Sequence, residues 1–313
     1  FVWRNQSAGE RMDIPMFDIK IGTMIPGMKA DSMIPQLNPK GFETYELHFE
    51  NWHCDMDYHE HSKRVLDTLD GRKISVLGHY GNTLKDERVR RGVELLIDNA
   101  RLYGCDVIGV FAGGDPAKSV PDTIPEFKTV FDELTRRAEA NGVRIAIEGC
   151  GGGWRGGSHN IGFCEEAWEL MFDAVTSDAM GLEWEPAHAM SALVEPIPQL
   201  RRWAKKVFHI HGKDGYIAWD VIREHGIRGI VPFYWDRTPS FGQSDWSEIF
   251  TILLQNGFEG SCDIEGYHDP VHYDDAEWSS QLAALDYLKR CRGGVEDFAG
   301  PGEYRGFQGT RKR

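Results

Sequence analysis

Short strand-like runs alternate with helical segments along almost the whole chain, and this alternation limits the fold more than any other feature. Apolar runs predict eight strands, over residues 16–22, 44–50, 73–78, 106–111, 144–148, 181–185, 206–211 and 260–265. Three- and four-residue apolar spacing predicts helices over residues 59–69, 86–102, 125–140, 165–175, 197–205, 245–256 and 274–291. Eight strands, the first followed by a Pro- and Met-rich connection and the other seven by a helical segment, indicate an α/β protein with a single-domain (β/α)₈ TIM barrel.

An open, doubly wound sheet is the alternative fold for this alternation. Its nucleotide-binding version is disfavoured, because no GxGxxG turn leads from the first strand into a helix. The glycine-rich run 151–157 lacks the Lys-Ser/Thr of a phosphate-binding loop and is expected to form a mobile loop at the barrel mouth. We therefore expect one barrel over residues 1–292, with the tail 293–313 lying on the surface or against a partner.

The net charge and the cysteine content indicate which kinds of partner the protein can bind and which cellular compartment it occupies. The net charge of −14 over 313 residues argues against a nucleic-acid or anionic membrane surface, since binding phosphates requires a basic patch. No run approaches the roughly 18 apolar residues of a membrane span, and no signal peptide is evident at residue 1. The six cysteines are scattered without framework spacing, which favours reduced thiols. A soluble, cytoplasmic protein is expected.

Acidic residues and histidine stand at the ends of the last four predicted strands. These residues are Glu148, Glu185, His211 and Glu265. Any one of these acids could be a solvated loop residue, but the carboxyl ends of barrel strands meet at one mouth. Three carboxylates there would repel one another unless they share a cation. Three oxygen ligands and one nitrogen favour a divalent metal, with Mn²⁺ as the first choice, Mg²⁺ or Co²⁺ next, and Zn²⁺ as a further candidate.

The seventh predicted strand carries two histidines. Alternation places His209 and His211 on one face of the strand. We expect His211 to be the ligand, His209 to be a packed neighbour below it, and Lys213 and Asp214 to support His211.

Four short motifs together resemble the sugar phosphate isomerase/epimerase superfamily of xylose-isomerase-like barrels, which includes the ketose 3-epimerases. The motifs are Ile147-Glu148, Glu185-Pro186-Ala187-His188, His209-Ile210-His211-Gly212-Lys213-Asp214 and Asp263-Ile264-Glu265-Gly266. The resemblance covers nearly the whole chain. It implies that Glu148, Glu185, His211 and Glu265 bind the metal, and that His188 and Arg237 hold substrate oxygens.

Two departures from the epimerase pattern point to one branch of that superfamily. Glu185 stands where Asp is commoner, and the glycine-rich insert that ends in Ser158-His159-Asn160 is longer than an epimerase needs. With these features the chain is most similar to the α subunits of bacterial C-glycoside deglycosidases. That resemblance implies a 3-oxo-glycoside substrate and a smaller β-type partner subunit in a hetero-oligomer.

The lyase and the epimerase would form the same enolate intermediate and would differ only in what happens to it next. A metal that chelates a ketone oxygen acidifies the neighbouring C–H and stabilises the enolate. In a lyase, His159 is the candidate base, and the enolate expels the aglycone by β-elimination. The alternative for His159 is a surface-loop histidine. In a ketose 3-epimerase or sugar isomerase, Glu148 and Glu265 would take and return the proton.

Two further residues are candidates for contact with substrate. His79 follows the third strand and is expected to line the pocket, and Trp154 in the mouth loop could stack on a sugar or a flat aglycone. Two other functional classes stay open. An apurinic-site endonuclease shares this broad fold but is disfavoured by the negative charge, and a non-catalytic sugar-binding barrel would use the same mouth.

Overall fold

Eight parallel strands close into a barrel in the computed structural model, which describes residues 19–153, 155–266 and 268–293. The barrel consists of β1–β7 and β10, and β1 closes it by pairing with both β2 and β10. The strands are β1 (Lys20–Pro26), β2 (Thr44–His48), β3 (Lys73–His79), β4 (Val107–Phe111), β5 (Arg144–Glu148), β6 (Met180–Trp184), β7 (Val207–Gly212), β8 (Asp214–Ile217), β9 (Tyr234–Arg237) and β10 (Ser261–Ile264). The predicted (β/α)₈ barrel is confirmed.

Helices flank the barrel and bury its outward-facing apolar side chains. They are α1 (Ala30–Leu37), α2 (Tyr58–Leu66), α3 (Glu87–Asn99), α4 (Val120–Asn141), α5 (Glu165–Ala174), α6 (Pro186–Ser191), α7 (Pro196–Trp203), α8 (Trp219–His225), α9 (Trp246–Gln255) and α10 (Glu277–Arg292). On β2 the outward Tyr45 and Leu47 join this apolar core, whereas Glu46 between them is buried with no exposed surface. Strand alternation therefore sorts apolar residues outward and places charge inside the barrel.

A small arm separates the seventh and eighth barrel strands. It contains an antiparallel pair, β8 and β9, in which Asp214 is opposite Arg237, and the helix α8 between them. The carboxylate of Asp214 accepts hydrogen bonds from the amides of Gly215 and Ser244 and from the indole of Trp246. The expectation that Asp214 supports His211 is therefore wrong, because its oxygens are used to fasten the arm to the barrel.

Two predictions near the start of the chain are also wrong. The first strand is predicted over 16–22, but β1 runs to Pro26; residues 1–18 lie outside the described ranges. Gly22 is not a strand end. It lies within β1, at a position where only glycine fits, because a Cβ there would come 1.9 Å from Asp263 Oδ1. The Pro- and Met-rich connection predicted after β1 contains α1, which tolerates Pro35 because Ala30, Ile34 and Leu37 are buried against the core.

Across the described ranges, every helix is too short or too polar to traverse a lipid bilayer.

A partly buried ion pair joins the start of the barrel to its last helix. Glu43 accepts a hydrogen bond of 2.7 Å from the amide of Ile21, and Arg292 Nη1 lies 2.6 Å from Glu43 Oε2. Burial alone would raise the pKa of Glu43, but these hydrogen bonds lower it below its ordinary value. The carboxylate thereby holds β1 and α10 together.

We expect Glu43→Gln to destabilise the fold by about 1.5 to 3 kcal/mol at pH 7, the usual contribution of a charged hydrogen bond. Because the folded-state pKa is lowered, this contribution is complete above the unfolded pKa of about 4.3 and is lost as the pH falls through the folded value. Urea unfolding at pH 7 and near pH 3.5 measures both effects. The exposed Glu60→Gln is the control, and a Glu43→Gln deficit that does not shrink in acid would contradict the ion pair.

Candidate metal centre

Four side chains meet at the carboxyl-terminal mouth of the barrel, delivered by four consecutive barrel strands. Glu148 ends β5, Glu185 follows β6, His211 lies on β7 and Glu265 follows β10. One ligand atom from each lies within 4.8 Å of the other three, and all four residues are buried. The structure thus brings together the four residues that the strand ends predict as metal ligands.

His188 joins two of these acids from α6. Its Nε2 lies 2.9 Å from Glu148 Oε1 and 3.0 Å from Glu185 Oε1. Burial alone would lower the pKa of His188, but the charge of Glu185 and the hydrogen bond to Glu148 raise it. His188 therefore holds the two carboxylates in position.

Lys213 supplies the permanent positive charge at the mouth. Its Nζ lies 3.1 Å from Glu265 Oε1 and 3.6 Å from Glu185 Oε1, with the side chain 5% exposed. Burial would raise the pKa of Glu265, but Lys213, followed by His211, lowers it to about 2. Lys213 therefore supports the acids of the cluster, and the expectation that it supports His211 is wrong.

The polar atoms that face the centre of the cluster are left without hydrogen bonds among the described residues. They are Glu185 Oε1 and Oε2, Glu265 Oε2 and His211 Nδ1. His211 Nδ1 lies 3.3 Å from Glu185 Oε2 and 3.4 Å from Glu265 Oε2. Buried polar atoms are nearly always paired, so a converging set of unpaired ones has the character of a ligand cage.

The charge balance of the cluster fits a divalent cation. Glu148, Glu185 and Glu265 bring three carboxyl groups together, and Lys213 and the imidazole of His188, whose pKa these acids raise, offset part of their negative charge. Uncompensated negative charge is costly in a buried site, and a divalent cation would balance it. Three carboxylate oxygens and one imidazole nitrogen are a donor set suited to Mn²⁺, Mg²⁺ or Co²⁺.

The mouth loop after β5 carries His159 and is anchored to the end of that strand by the next residue, Asn160. The side-chain Nδ2 of Asn160 donates to the carbonyls of Glu148 and Cys150, and its Oδ1 accepts from the backbone amides of Ala112 and Gly162. Asn160 is buried, whereas His159 is exposed. The loop is therefore pinned at its base, and His159 projects from it toward solvent.

The remaining predicted contact residues occupy different parts of the mouth. His79 is 2% exposed, its Nδ1–H donates to the carbonyl of Phe49 at 2.8 Å, and it lines a cavity of about 360 Å³ with Tyr80 and Trp52. Arg237 lies on β9, where its Nε donates to Asp269 at 3.1 Å. Trp154 lies outside the described residues.

A second group of ionisable residues lies inside the barrel just below the four, and the sequence motifs singled out only its two histidines. It contains Glu46, Glu183, His209 and the lower nitrogen of His211, and Tyr80 joins the two acids. The Nε2 atoms of His209 and His211 both lie 3.0 Å from Glu46 Oε2, which confirms that the two histidines share one face. The sequence did contain a signal for Glu46: a glutamate between the apolar Tyr45 and Leu47 of a predicted barrel strand indicates an acid that points into the barrel.

If these four residues bind a metal, the protein should become more stable as metal is added. Binding to the folded state alone raises the free energy of unfolding by about 2.7 kcal/mol at 100 times Kd. We expect Mn²⁺ to raise the thermal midpoint of wild-type protein, EDTA to reverse the shift, and Glu185→Gln or His211→Ala to abolish it. Glu248→Gln, whose partly exposed side chain lies on α9 outside the cluster, should retain the full shift. Equal shifts in all four proteins would contradict the site.

Comparison with curated proteins finds relatives that match part of the chain. Curated relatives include the inosose dehydratase of Bacillus thuringiensis strain Al Hakam, which is 23% identical over 128 residues. That match covers 40% of this chain and 42% of the relative, so the chain spans less than half the length of the curated relative it matches.

Similar solved structures share the fold at low sequence identity. The 3-keto-D-glucoside 4-epimerase of E. coli has a TM-score of 0.65 at 16% identity, covering 87% of this chain and all of that one. A xylose isomerase-like barrel protein of Mycobacterium smegmatis, solved in complex with magnesium, has a TM-score of 0.65 at 14% identity, covering 89% and 99%. A model of the xylose isomerase-like TIM barrel matches residues 37–291, and the chain belongs to that family.

Proposed function

We propose that this protein is a divalent-metal-dependent lyase that cleaves 3-oxo-glycosides, in the manner implied by its resemblance to C-glycoside deglycosidase α subunits. The observation that carries the proposal is the buried set of unpaired ligand atoms on Glu185, His211 and Glu265. When bound there, a cation, with Mn²⁺ the first candidate, would polarise the ketone oxygen and offset the charge that develops on it. The substrate ketone would therefore face these strand ends.

The chain's own groups would then orient the sugar and move one proton. His188, which is fixed between Glu148 and Glu185, can donate to a substrate oxygen from the same edge of the mouth. Arg237 is held by Asp269, which also accepts from the amide of Thr238. A guanidinium held in this way can bind a second substrate oxygen with little loss of side-chain entropy.

His159 is proposed as the base. It would take the proton from the carbon beside the ketone, and the electron pair of that C–H bond would form the carbon–carbon double bond of the enolate. Collapse of the enolate would break the bond from the next carbon to the aglycone. The aglycone would leave with that electron pair and take up a proton, and the sugar would become an unsaturated ketone.

The cavity beside the cluster has room for the part of the substrate remote from the reacting carbon. His79 and Tyr80 line it, and the ring of Tyr80 lies 6.1 Å from that of His211, so one side chain separates the cavity from the cluster. Trp52 is 66% exposed in its wall and offers an aromatic face. Such a surface suits the apolar face of a sugar or an aromatic aglycone.

A ketose 3-epimerase or sugar isomerase is the second candidate. It is favoured by the presence of two carboxylates, Glu148 and Glu265, in the same cluster, since an epimerase needs a group on each face of the carbon. The named relatives support both classes: one is a dehydratase, which is a lyase, and one is an epimerase of a 3-keto-glucoside. The two reactions share the ligands and differ in the leaving group.

A smaller β-type subunit is part of the first proposal. Large apolar side chains are exposed on the segment between β8 and β9, including Trp219, Ile227 and Ile230. Exposed apolar groups on one segment support a contact with protein there. Activity should then depend on the second subunit, and full turnover by the purified chain alone would remove that element of the proposal.

Incubating the Mn²⁺-loaded protein with a 3-oxo-C-glucoside and, separately, with free ketohexoses decides between the two reactions. Release of the aglycone from the first substrate supports the lyase. Interconversion of ketohexoses without aglycone release would reject the lyase and support the epimerase. Chromatography of aglycone and sugar products measures both outcomes in the same samples.

Replacing the proposed base should affect turnover and leave metal binding unchanged. General-base catalysis typically contributes about 100- to 10,000-fold, so His159→Ala should lower kcat for the 3-oxo-glycoside by about that factor. The exposed His59→Ala, on α2 and away from the proposed subunit contact, is the matched control and should keep wild-type turnover. If His159→Ala retains wild-type kcat, the surface-loop interpretation of His159 is correct.

A further inference from the structure

A buried carboxylate lies directly beneath His211, on the side of the ring away from the mouth. Glu46 Oε2 is 3.0 Å from His211 Nε2, and both side chains have no exposed surface. The other ring nitrogen, Nδ1, faces Glu185 and Glu265 in the upper cluster. His211 therefore bridges two layers, with one nitrogen in each.

The hydrogen-bond pattern of the lower layer determines which of its acids is ionised. Glu46 Oε2 also lies 3.0 Å from His209 Nε2, and Glu46 Oε1 lies 2.6 Å from the hydroxyl of Tyr80. Three groups thus converge on Glu46: the phenol O–H, and the two imidazoles, each of which donates an N–H to Glu46 when its proton is on Nε2. A carboxylate that accepts three hydrogen bonds is stabilised as an anion even when it is fully buried.

Glu183 has the opposite character. Its Oε2 lies 2.8 Å from the hydroxyl of Tyr80, whereas its Oε1, at 3.3 Å from His211 Nε2, is farther from that nitrogen than Glu46 Oε2 and makes no hydrogen bond among the described residues. Tyr80 has a single proton, and Glu46 is the nearer of its two partners. A neutral Glu183 that donates its own proton to the Tyr80 oxygen completes the chain from Glu183 through Tyr80 to Glu46 without a second buried charge.

We propose that Glu46 is a positioning residue for the metal centre: its carboxylate, 3.0 Å beneath His211 Nε2, accepts a hydrogen bond from that nitrogen and directs Nδ1 toward the cation. A neutral imidazole has one N–H, so a proton held on Nε2 leaves Nδ1 free as a ligand. The carboxylate also fixes the orientation of the ring. This inference rests on the proposed metal function of the upper cluster.

The same lower layer has a competing interpretation as a second cation site. Glu46 Oε2, Glu183 Oε1, His209 Nε2 and His211 Nε2 also lie within 4.8 Å of one another. In that case His211 Nε2 would be a ligand instead of a donor, and each chain would bind two ions. The proton arrangement above accounts for every contact of the layer except Glu183 Oε1, and it predicts one ion per chain.

Titration of metal-free protein with Mn²⁺ in a calorimeter tests the inference through affinity and stoichiometry, independently of turnover. Loss of a carboxylate that supports a ligand histidine typically weakens metal binding about 10- to 100-fold, and we expect Glu46→Gln to do so. Glu183→Gln is the matched control, because a neutral amide replaces a neutral acid in the same layer. It should bind one ion with wild-type affinity.

Asp263→Asn controls for the loss of any buried charge. Asp263 has no exposed surface, and its Oδ2 lies 3.4 Å from His209 Nε2, but it belongs to neither group of ligand atoms around His211. We expect the Asp263→Asn variant to bind Mn²⁺ with wild-type affinity. Equal losses in Glu46→Gln, Glu183→Gln and Asp263→Asn would overturn the inference, as would two ions per wild-type chain or wild-type affinity in Glu46→Gln.

Folding of each metal-free variant is checked by circular dichroism and thermal unfolding. If Glu46→Gln does not fold, Glu46→Asp keeps the charge but withdraws it by one methylene from Nε2, and it should bind Mn²⁺ with affinity below wild type. The visible spectrum of bound Co²⁺ should also change in that variant, because it reports ligand geometry; an unchanged spectrum and affinity would overturn the inference. Failure of the wild-type chain to bind any metal would instead reject the proposed function itself.

Discussion

The interior of this barrel is organised by the need to compensate buried negative charge. A closed parallel barrel has its centre filled by inward-facing side chains, and here many of those side chains are acids. Glu46, Glu183, Glu185 and Asp263 are each at most 2% exposed. Charge at such a position is stable only when it is paired, protonated or shared with a cation, so the contacts of these acids determine the rest of the site.

The compensation takes a different form in each of two layers. In the lower layer both carboxylate oxygens of Glu46 have hydrogen-bonding partners, in His209, His211 and Tyr80. In the upper layer, ligand atoms of Glu185 and Glu265 are left facing one another. His211 is the only residue of the two four-residue groups that belongs to both layers. A change in the lower layer should therefore alter metal binding at the mouth, because it changes the orientation of the His211 imidazole and the position of its proton.

Much of the mouth could be predicted because barrel geometry is simple. The ends of parallel strands meet, so an acid or histidine at each of four strand ends is enough to indicate a cluster at Glu148, Glu185, His211 and Glu265. Side-chain alternation also gave the shared face of His209 and His211. The arm between β8 and β9 could not be predicted in this way, because its pairing is antiparallel and local to the segment, and its anchor, Asp214, lies next to the residues of the motif.

By itself, the sequence determined the fold class and the residue types at the strand ends, because strand and helix periodicity and the chain order of those ends are local properties. Only the tertiary structure decided which partners each charge receives. Lys213 contacts Glu265 rather than His211, and Glu46 reaches His211 from a strand 165 residues away in sequence. Those contacts depend on the stagger of the closed barrel, which sets the height of each inward side chain and leaves no trace in the spacing of residues along one strand.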